Sequence, residues 1–285
     1  MTFPSLNGLI KRSIGEWQLF CLSVMFFTRF PVPQSTPYSE ALMNKSNRYF
    51  PLVGFLLALL LCVLYVIFNA ILPLDVTVVL IVIASLLFTG AFHEDGLADM
   101  ADGIGGGLTV ERRLSIMKDS RIGTYGTVSL VLSLLLKFVL LLALAEHQLF
   151  IPSLLIAYTV SRALAATIIV NTNYVTDDSE SKSKPLASQQ SATELLFVIA
   201  SGLLTLLMLI NEPWFFTFLI SLVAVLVLFR FFFRHWLIKR IGGFTGDCLG
   251  AGQQMSELLI YLTLLAVYQA YLSEKLPLLS SLVEF

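Results

Sequence analysis

Residues 91–107 read AFHEDGLADMADGIGGG, an acidic stretch that runs into glycines directly after a long apolar segment. Asp95, Asp99 and Asp102 are spaced i, i+4, i+7. On a helix of 3.6 residues per turn they fall within roughly 60° of one another. Like charges so placed repel, costing about 0.2–0.5 kcal/mol per exposed pair and more at low dielectric. A stripe that works against its own helix implies a cation. Carboxylate oxygen is the ligand that hard Mg²⁺ prefers, usually beside substrate phosphates. The stretch therefore predicts a metal site where a membrane helix meets water, with Asp95, Asp99 and Asp102 as ligands.

The surrounding chain has the composition of a membrane protein. Of its 285 residues 57% are hydrophobic and only 13% charged, with 22 Phe and a mean hydropathy of +0.84; soluble domains carry about 25% charge. Apolar runs near the roughly 20 residues a bilayer demands are expected at 50–72, 75–92, 124–146, 151–170, 193–211, 213–233 and 256–273. Pro73, the acidic stretch, Pro152, a polar loop at 171–191, Pro213 and a Gly-rich stretch at 242–252 separate them. The fold class predicted is all-α, a polytopic membrane bundle of about seven transmembrane helices. It forms one domain, with an N-terminal interfacial region (1–49), the bundle (50–273) and a tail (274–285). The stretch 14–30 follows Lys11 and Arg12 but contains Glu16 and Gln18, and no small-residue cleavage site follows it. It reads as an interfacial amphipathic helix offering Trp17, Phe20, Phe27 and Phe30 to the bilayer, with a short extra membrane segment as the open alternative. A polar helix is expected at 38–49. Cys21, Cys62 and Cys248 have no metal-binding spacing and read as inert thiols. Three histidines without HExxH argue against a zinc hydrolase.

Basic residues set the orientation. With a cytoplasmic N-terminus, 15 of the 18 Lys and Arg fall inside, leaving Lys137 and Arg162 within spans and Lys275 outside. The positive-inside rule then puts loops 93–123, 171–192 and 234–255, and the aspartates with them, on the cytoplasmic face.

Three further features bear on chemistry. Gly96, Gly103, Gly105, Gly106 and Gly107 flank the acids and allow a phosphate or another backbone to approach closely. The segment VERRLSIMKDSRIGTYG, 110–126, sets Leu114, Ile116 and Met117 on a short helix toward the membrane surface. It leaves Arg112, Arg113, Lys118 and Arg121 for anions; for Arg112 and Arg113, plain membrane anchoring is an equal reading. The segment GGFTGDCLGAGQQMSE, 242–257, reads as a glycine-rich loop that folds against the aspartates. Within it Asp247 is a further ligand or a general base, beside Thr245, Gln253 and Gln254. Lys137 and Arg162 lie inside apolar spans, where charge is costly and faces a cavity or a partner.

Five blocks carry a resemblance: RFPVP (29–33), FPLVG (50–54), FHEDGLADMADGIGGG (92–107), IMKDSRIGTYG (116–126) and GGFTGDCLGAGQQ (242–254). In this order, across most of the chain, they closely resemble the cobalamin 5'-phosphate synthase family, also called adenosylcobinamide-GDP ribazoletransferases. The family's central motif, His-x-Asp-Gly-Leu-x-Asp-x-x-Asp, is met by His93, Asp95, Gly96, Leu97, Asp99 and Asp102. Glu94 falls at a variable position, which weakens its case as a ligand. The resemblance implies an integral protein of the bacterial inner membrane that assembles the lower nucleotide loop of vitamin B12. A hydroxyl of α-ribazole, or of its 5'-phosphate, attacks the cobinamide-linked phosphorus of adenosylcobinamide-GDP. GMP leaves, and adenosylcobalamin or its 5'-phosphate forms with Mg²⁺. In that chemistry Asp95, Asp99 and Asp102 would hold Mg²⁺ against the pyrophosphate. His93 or Asp247 would take the hydroxyl proton, a core-satisfied His93 being the open alternative. Arg112, Arg113, Lys118 and Arg121 would steady phosphates, and Gly96, Gly103, Gly123, Thr245 and Gly246 would line the substrate. The expected partners are the two substrates and the bilayer, with no nucleic acid; a homo-oligomer or an association with other corrinoid-pathway enzymes is compatible with this reading. Two rivals fit less well. A CDP-alcohol phosphotransferase wants Ala-Arg after its first Asp-Gly, whereas Ala98 precedes Asp99 here. A divalent-cation transporter wants carboxylates near the bilayer midplane.

Overall fold

The structure, a computed structural model, describes residues 6–175 and 190–273, without the side chains of residues 6–12. Its helices are α1 (Leu6–Phe27), α2 (Glu40–Ser46), α3 (Phe50–Asn69), α4 (Leu74–Thr89), α5 (Phe92–Gly106), α6 (Val110–Met117), α7 (Thr124–Glu146), α8 (Phe150–Ile168), α9 (Ala192–Leu206), α10 (Phe215–Ile241) and α11 (Gly246–Leu272). Among the described residues the only extended pairing is an isolated bridge between Tyr174 and Phe244. Among the described residues six helices are long and apolar enough to cross a bilayer, and α4 with α5, bent by 86°, makes up to a seventh. The chain is a multi-pass helical membrane protein.

Local chemistry sets the helix starts. Ser39, Thr109, Ser191 and Thr245 each accept a first-turn backbone N–H with their side-chain oxygen, a cap worth about 1 kcal/mol. The bend between α4 and α5 comes from two consecutive left-handed residues, Gly90 (φ 67°) and Ala91 (φ 56°). The second costs a non-glycine residue roughly 1–2 kcal/mol. The apolar run expected to reach 92 therefore stops at Thr89, and the acids occupy a helix of their own.

Two other expectations are corrected. The glycine-rich stretch 242–252 is a loop only as far as Thr245; from Gly246 it forms the opening turns of α11, ahead of the span expected from 256. In lipid, helices associate through close packing and not through transfer from water. These glycines supply that closeness: a Cβ on Gly250 would lie 3.2 Å from the His93 carbonyl oxygen. Similarly, α10 runs on to Ile241 and does not end at 233.

In α1, Trp17 is exposed. Phe27, however, is core and not bilayer contact: it stacks on Phe50 with centroids 3.8 Å apart. Around the central helix α8 pack α3, α9 and α11, and α5 lies against α11, α7 and α6. Outward faces of α7, α9 and α10 carry exposed Val131, Leu135, Leu203, Val223 and Val227, the apolar skin a bilayer requires. Asp177, Asp178, Glu180 and Lys184, in the loop read as a solvated connector, lie outside the described residues.

Candidate active site

The site begins where α5 crosses α11. Gly96 carries no side chain, and the backbones come so close that a Cβ there would sit 3.0 Å from the Asp247 carbonyl oxygen. Asp95, exposed, and Asp99, half-buried, thereby meet Asp247 in the first turn of α11. Asp99 lies within electrostatic range of Asp95, Asp247 and Asp102, and Asp247 within range of Asp95. Thr245 caps α11 and also donates its hydroxyl to Asp247 Oδ2 at 3.3 Å. Among the described residues none of Asp95, Asp99 and Asp247 is in an ion pair. The result is converging negative charge with no ion-pairing cation among the described residues.

That donor set, all carboxylate oxygen, has the chemistry of a Mg²⁺ site. Among the described residues no three His, Cys, Asp or Glu side chains stand close enough to enclose an ion. The fit is thus to a cation held by one or two carboxylates, with phosphate and water completing the shell, which is how Mg²⁺ is usually bound.

The remaining residues singled out from the sequence are placed as follows. Asp102 is buried, and both its oxygens are engaged: Gly123 N–H donates to Oδ2 at 2.6 Å and Gly126 N–H to Oδ1 at 2.8 Å. It supplies the cap that Gly123, at the start of α7, has no side chain to provide. His93 is 2% exposed, stacked near Phe27 and Phe50 and edge-on to Phe92, and its Nε2 has no hydrogen-bond partner. It stands two residues, about 200°, around α5 from Asp95, so the structure does not bring it to the aspartates. Arg113 donates from Nε to Gly107 O at 2.9 Å and from Nη1 to Arg240 O at 2.7 Å, tying α6 to the end of α10. Gly103 lies beneath Met117 and the Arg113 carbonyl, so it packs α6 on α5. Arg112 and Lys118 are exposed on α6 and its C-terminal edge. Arg121 is exposed and paired with Asp119 at 2.6 Å; its hydrogen bonds hold the Asp119 carboxyl down to about 2. Gly246 faces open space.

The sequence reading missed a buried polar cluster behind the aspartates, made by Glu94, Lys137, Gln253, Gln254 and Glu257. A signal was available. Glu257, like Lys137 and Arg162, is an ionisable residue inside an expected apolar run.

The chain is similar to known proteins along most of its length. A family model described as Cobalamin-5-phosphate synthase matches residues 19–265. The chain is 55% identical over 255 residues to an adenosylcobinamide-GDP ribazoletransferase of Vibrio parahaemolyticus, covering 89% of this chain and 94% of that protein. It is 53% identical over 254 residues to one from Vibrio cholerae, covering 89% and 95%. With one from Shewanella frigidimarina it shares 48% over 264 residues, covering 92% and 99%. No solved structure matches the chain. The family match takes in the end of α1, α2 through α10 and most of α11, and the chain belongs to the cobalamin-5-phosphate synthase family.

Proposed function

We propose that this chain joins adenosylcobinamide-GDP to α-ribazole or its 5'-phosphate, and that the reaction occurs where α5 meets α11, at the cytoplasmic rim of the bacterial inner membrane. One observation carries the assignment of the site: Gly96 lets Asp95 and Asp99 meet Asp247 with no ion-pairing cation among the described residues. Asp95 and Asp99 are the residues that would hold Mg²⁺ beside the diphosphate, with Asp247 facing them. When bound, the metal supplies charge neutralisation on the phosphate oxygens.

The ribazole hydroxyl oxygen bonds to the cobinamide-linked phosphorus, the bridging P–O bond breaks, and GMP departs with that bond's electron pair. The hydroxyl proton passes to a carboxylate at the crossing. Asp247 suits this role better than His93, whose ring is enclosed by Phe27, Phe50 and Phe92. Arg112, Lys118 and Arg121, exposed beside the crossing, meet the phosphates of the two substrates. Arg113, Asp102 and Gly103 hold the α6–α7 segment that presents them.

The test is GMP release by the purified chain given adenosylcobinamide-GDP and ribazole. Replacing Asp99 with Asn should lower release by about 100-fold or more, since metal charge stabilisation is worth several kcal/mol, and should weaken Mn²⁺ binding measured without substrate. Wild-type release by Asp99→Asn sinks the metal assignment.

A further inference from the structure

Inside the bundle, behind the aspartates, Glu94 of α5, Lys137 of α7, Arg162 of α8 and Glu257 of α11 are all buried, two acids against two bases. Lys137 Nζ stands 2.8 Å from Glu257 Oε1 and 4.0 Å from Glu94 Oε1. Gln253 Nε2 donates to Glu257 Oε2 at 2.7 Å and to Ser161 Oγ at 3.0 Å. Gln254 Nε2 donates to Glu94 Oε1 and to Gln253 Oε1, each at 2.9 Å. Arg162 donates to the Tyr158 carbonyl and lies over the Tyr158 and Phe50 rings. Charge within apolar helices is costly, and hydrophobic side chains of similar volume are often at least as stable in such places. Stability alone does not account for the cluster.

Its geometry does. Glu94 immediately precedes Asp95, and Gln254 follows Asp247 by two helical turns on nearly the same face of α11. The Glu94–Gln254 bond therefore ties the rotation and slide of α5 to α11, about 10 Å along α11 from where their aspartates meet. Lys137 holds both acids from a third helix.

We propose that Glu94, Lys137 and Glu257 are positioning residues for phosphoryl transfer, a buried ion cluster that keeps α5 and α11 in the register at which Asp95 and Asp99, holding the cation, face Asp247. The proposal rests on the metal reading of those aspartates. It is tested on the full chain in detergent with Lys137→Met, Glu94→Gln, Glu257→Gln and the swapped pair Lys137→Glu/Glu257→Lys. The readouts are Mn²⁺ affinity without substrate, kcat and KM for GMP release, and the thermal melt. Groups that orient metal ligands typically matter by about 10–100-fold in affinity or activity. That loss is expected in Mn²⁺ affinity and kcat for each single variant, with KM for ribazole nearly unchanged and a folded protein. The swapped pair should recover part of both. Wild-type Mn²⁺ affinity and kcat in folded Lys137→Met and Glu94→Gln overturn the proposal, as does a loss that only tracks the folded fraction. If Lys137→Met does not accumulate, the near-isosteric Glu94→Gln decides by the same measures. Asp99→Asn separates the two failures: if it too binds Mn²⁺ normally, the metal reading falls and this proposal with it. If it alone loses Mn²⁺, only the positioning role falls.

Discussion

Asp102 shows how far one residue's meaning depends on what stands opposite it. In the sequence it is the third of three aspartates on one helix face, four and then three residues apart, and nothing in its type sets it apart from Asp95 and Asp99. Folding brings the N–H groups of Gly123 and Gly126 to its two oxygens, and hydrogen bonds to a charged acceptor contribute about 1.5–3 kcal/mol each. The pattern of acids was legible; which of them the backbone would use was not, because the partners come from another helix. Asp102→Asn keeps one acceptor but turns an amide NH₂ toward a backbone donor. Hydrogen exchange at Gly123 and Gly126 is expected to speed up, with a lower melting temperature and slower turnover. Mn²⁺ affinity should fall less than in Asp99→Asn. If instead Asp102→Asn abolishes Mn²⁺ binding while those amides stay protected, Asp102 is a direct ligand.

Among the elements, the crossing of α5 and α11 distinguishes two glycines that look alike in sequence. A Cβ on Gly96 would press on the Asp247 backbone, which cannot move aside like a side-chain tip, whereas one on Gly246 meets nothing within 4 Å. Gly96→Ala is expected to separate the helices, reducing both stability and GMP release. Gly246→Ala should melt at or slightly above the wild-type temperature, because Ala is preferred over Gly in a helix by up to about 1 kcal/mol. If Gly246 also lines the substrate, its Ala variant loses activity without losing stability, a combination that melting curves and GMP assays resolve together. These glycines explain why the spans at 124–146 and 151–170 were legible nearly to the residue while the start of α11 was not. Apolar length marks a helix that lipid surrounds. Glycine marks either a loop or a helix pressed against another, and only the neighbour decides. The bend at Gly90 and Ala91 escaped for a related reason, since a left-handed alanine has no signature in sequence.

The whole molecule has two unlike ends. Arg112, Arg113, Lys118, Arg121, Arg234, Lys239 and Arg240 gather at the end that carries the site, joined there by the Arg113–Arg240 bond and by Arg234 on Thr172 and Asn171. At the other end His147 bonds Gln269 at 2.7 Å and Trp214 packs on Tyr268, with the acids Glu146 and Glu212 nearby in the chain. Helix α10, 27 residues and so about 40 Å long, runs from one end to the other. Such a polarity orients a membrane protein with its basic end toward the cytoplasm, where a diphosphate-bearing nucleotide substrate would be at hand. Single cysteines test this directly, because the native Cys21, Cys62 and Cys248 are free but buried and give little background to an impermeant thiol reagent. With Ser120→Cys, exposed in the α6–α7 turn, labelling is expected only in inverted or permeabilised membranes. With Asn211→Cys, exposed between α9 and α10, it is expected in intact cells. The reverse pattern would turn the aspartates outward. Loss of accessibility contrast between the two positions would mean that α7, α8 and α9 do not carry the chain from one face of the bilayer to the other, and the separation of a charged working end from an acidic far end would lose its physical basis.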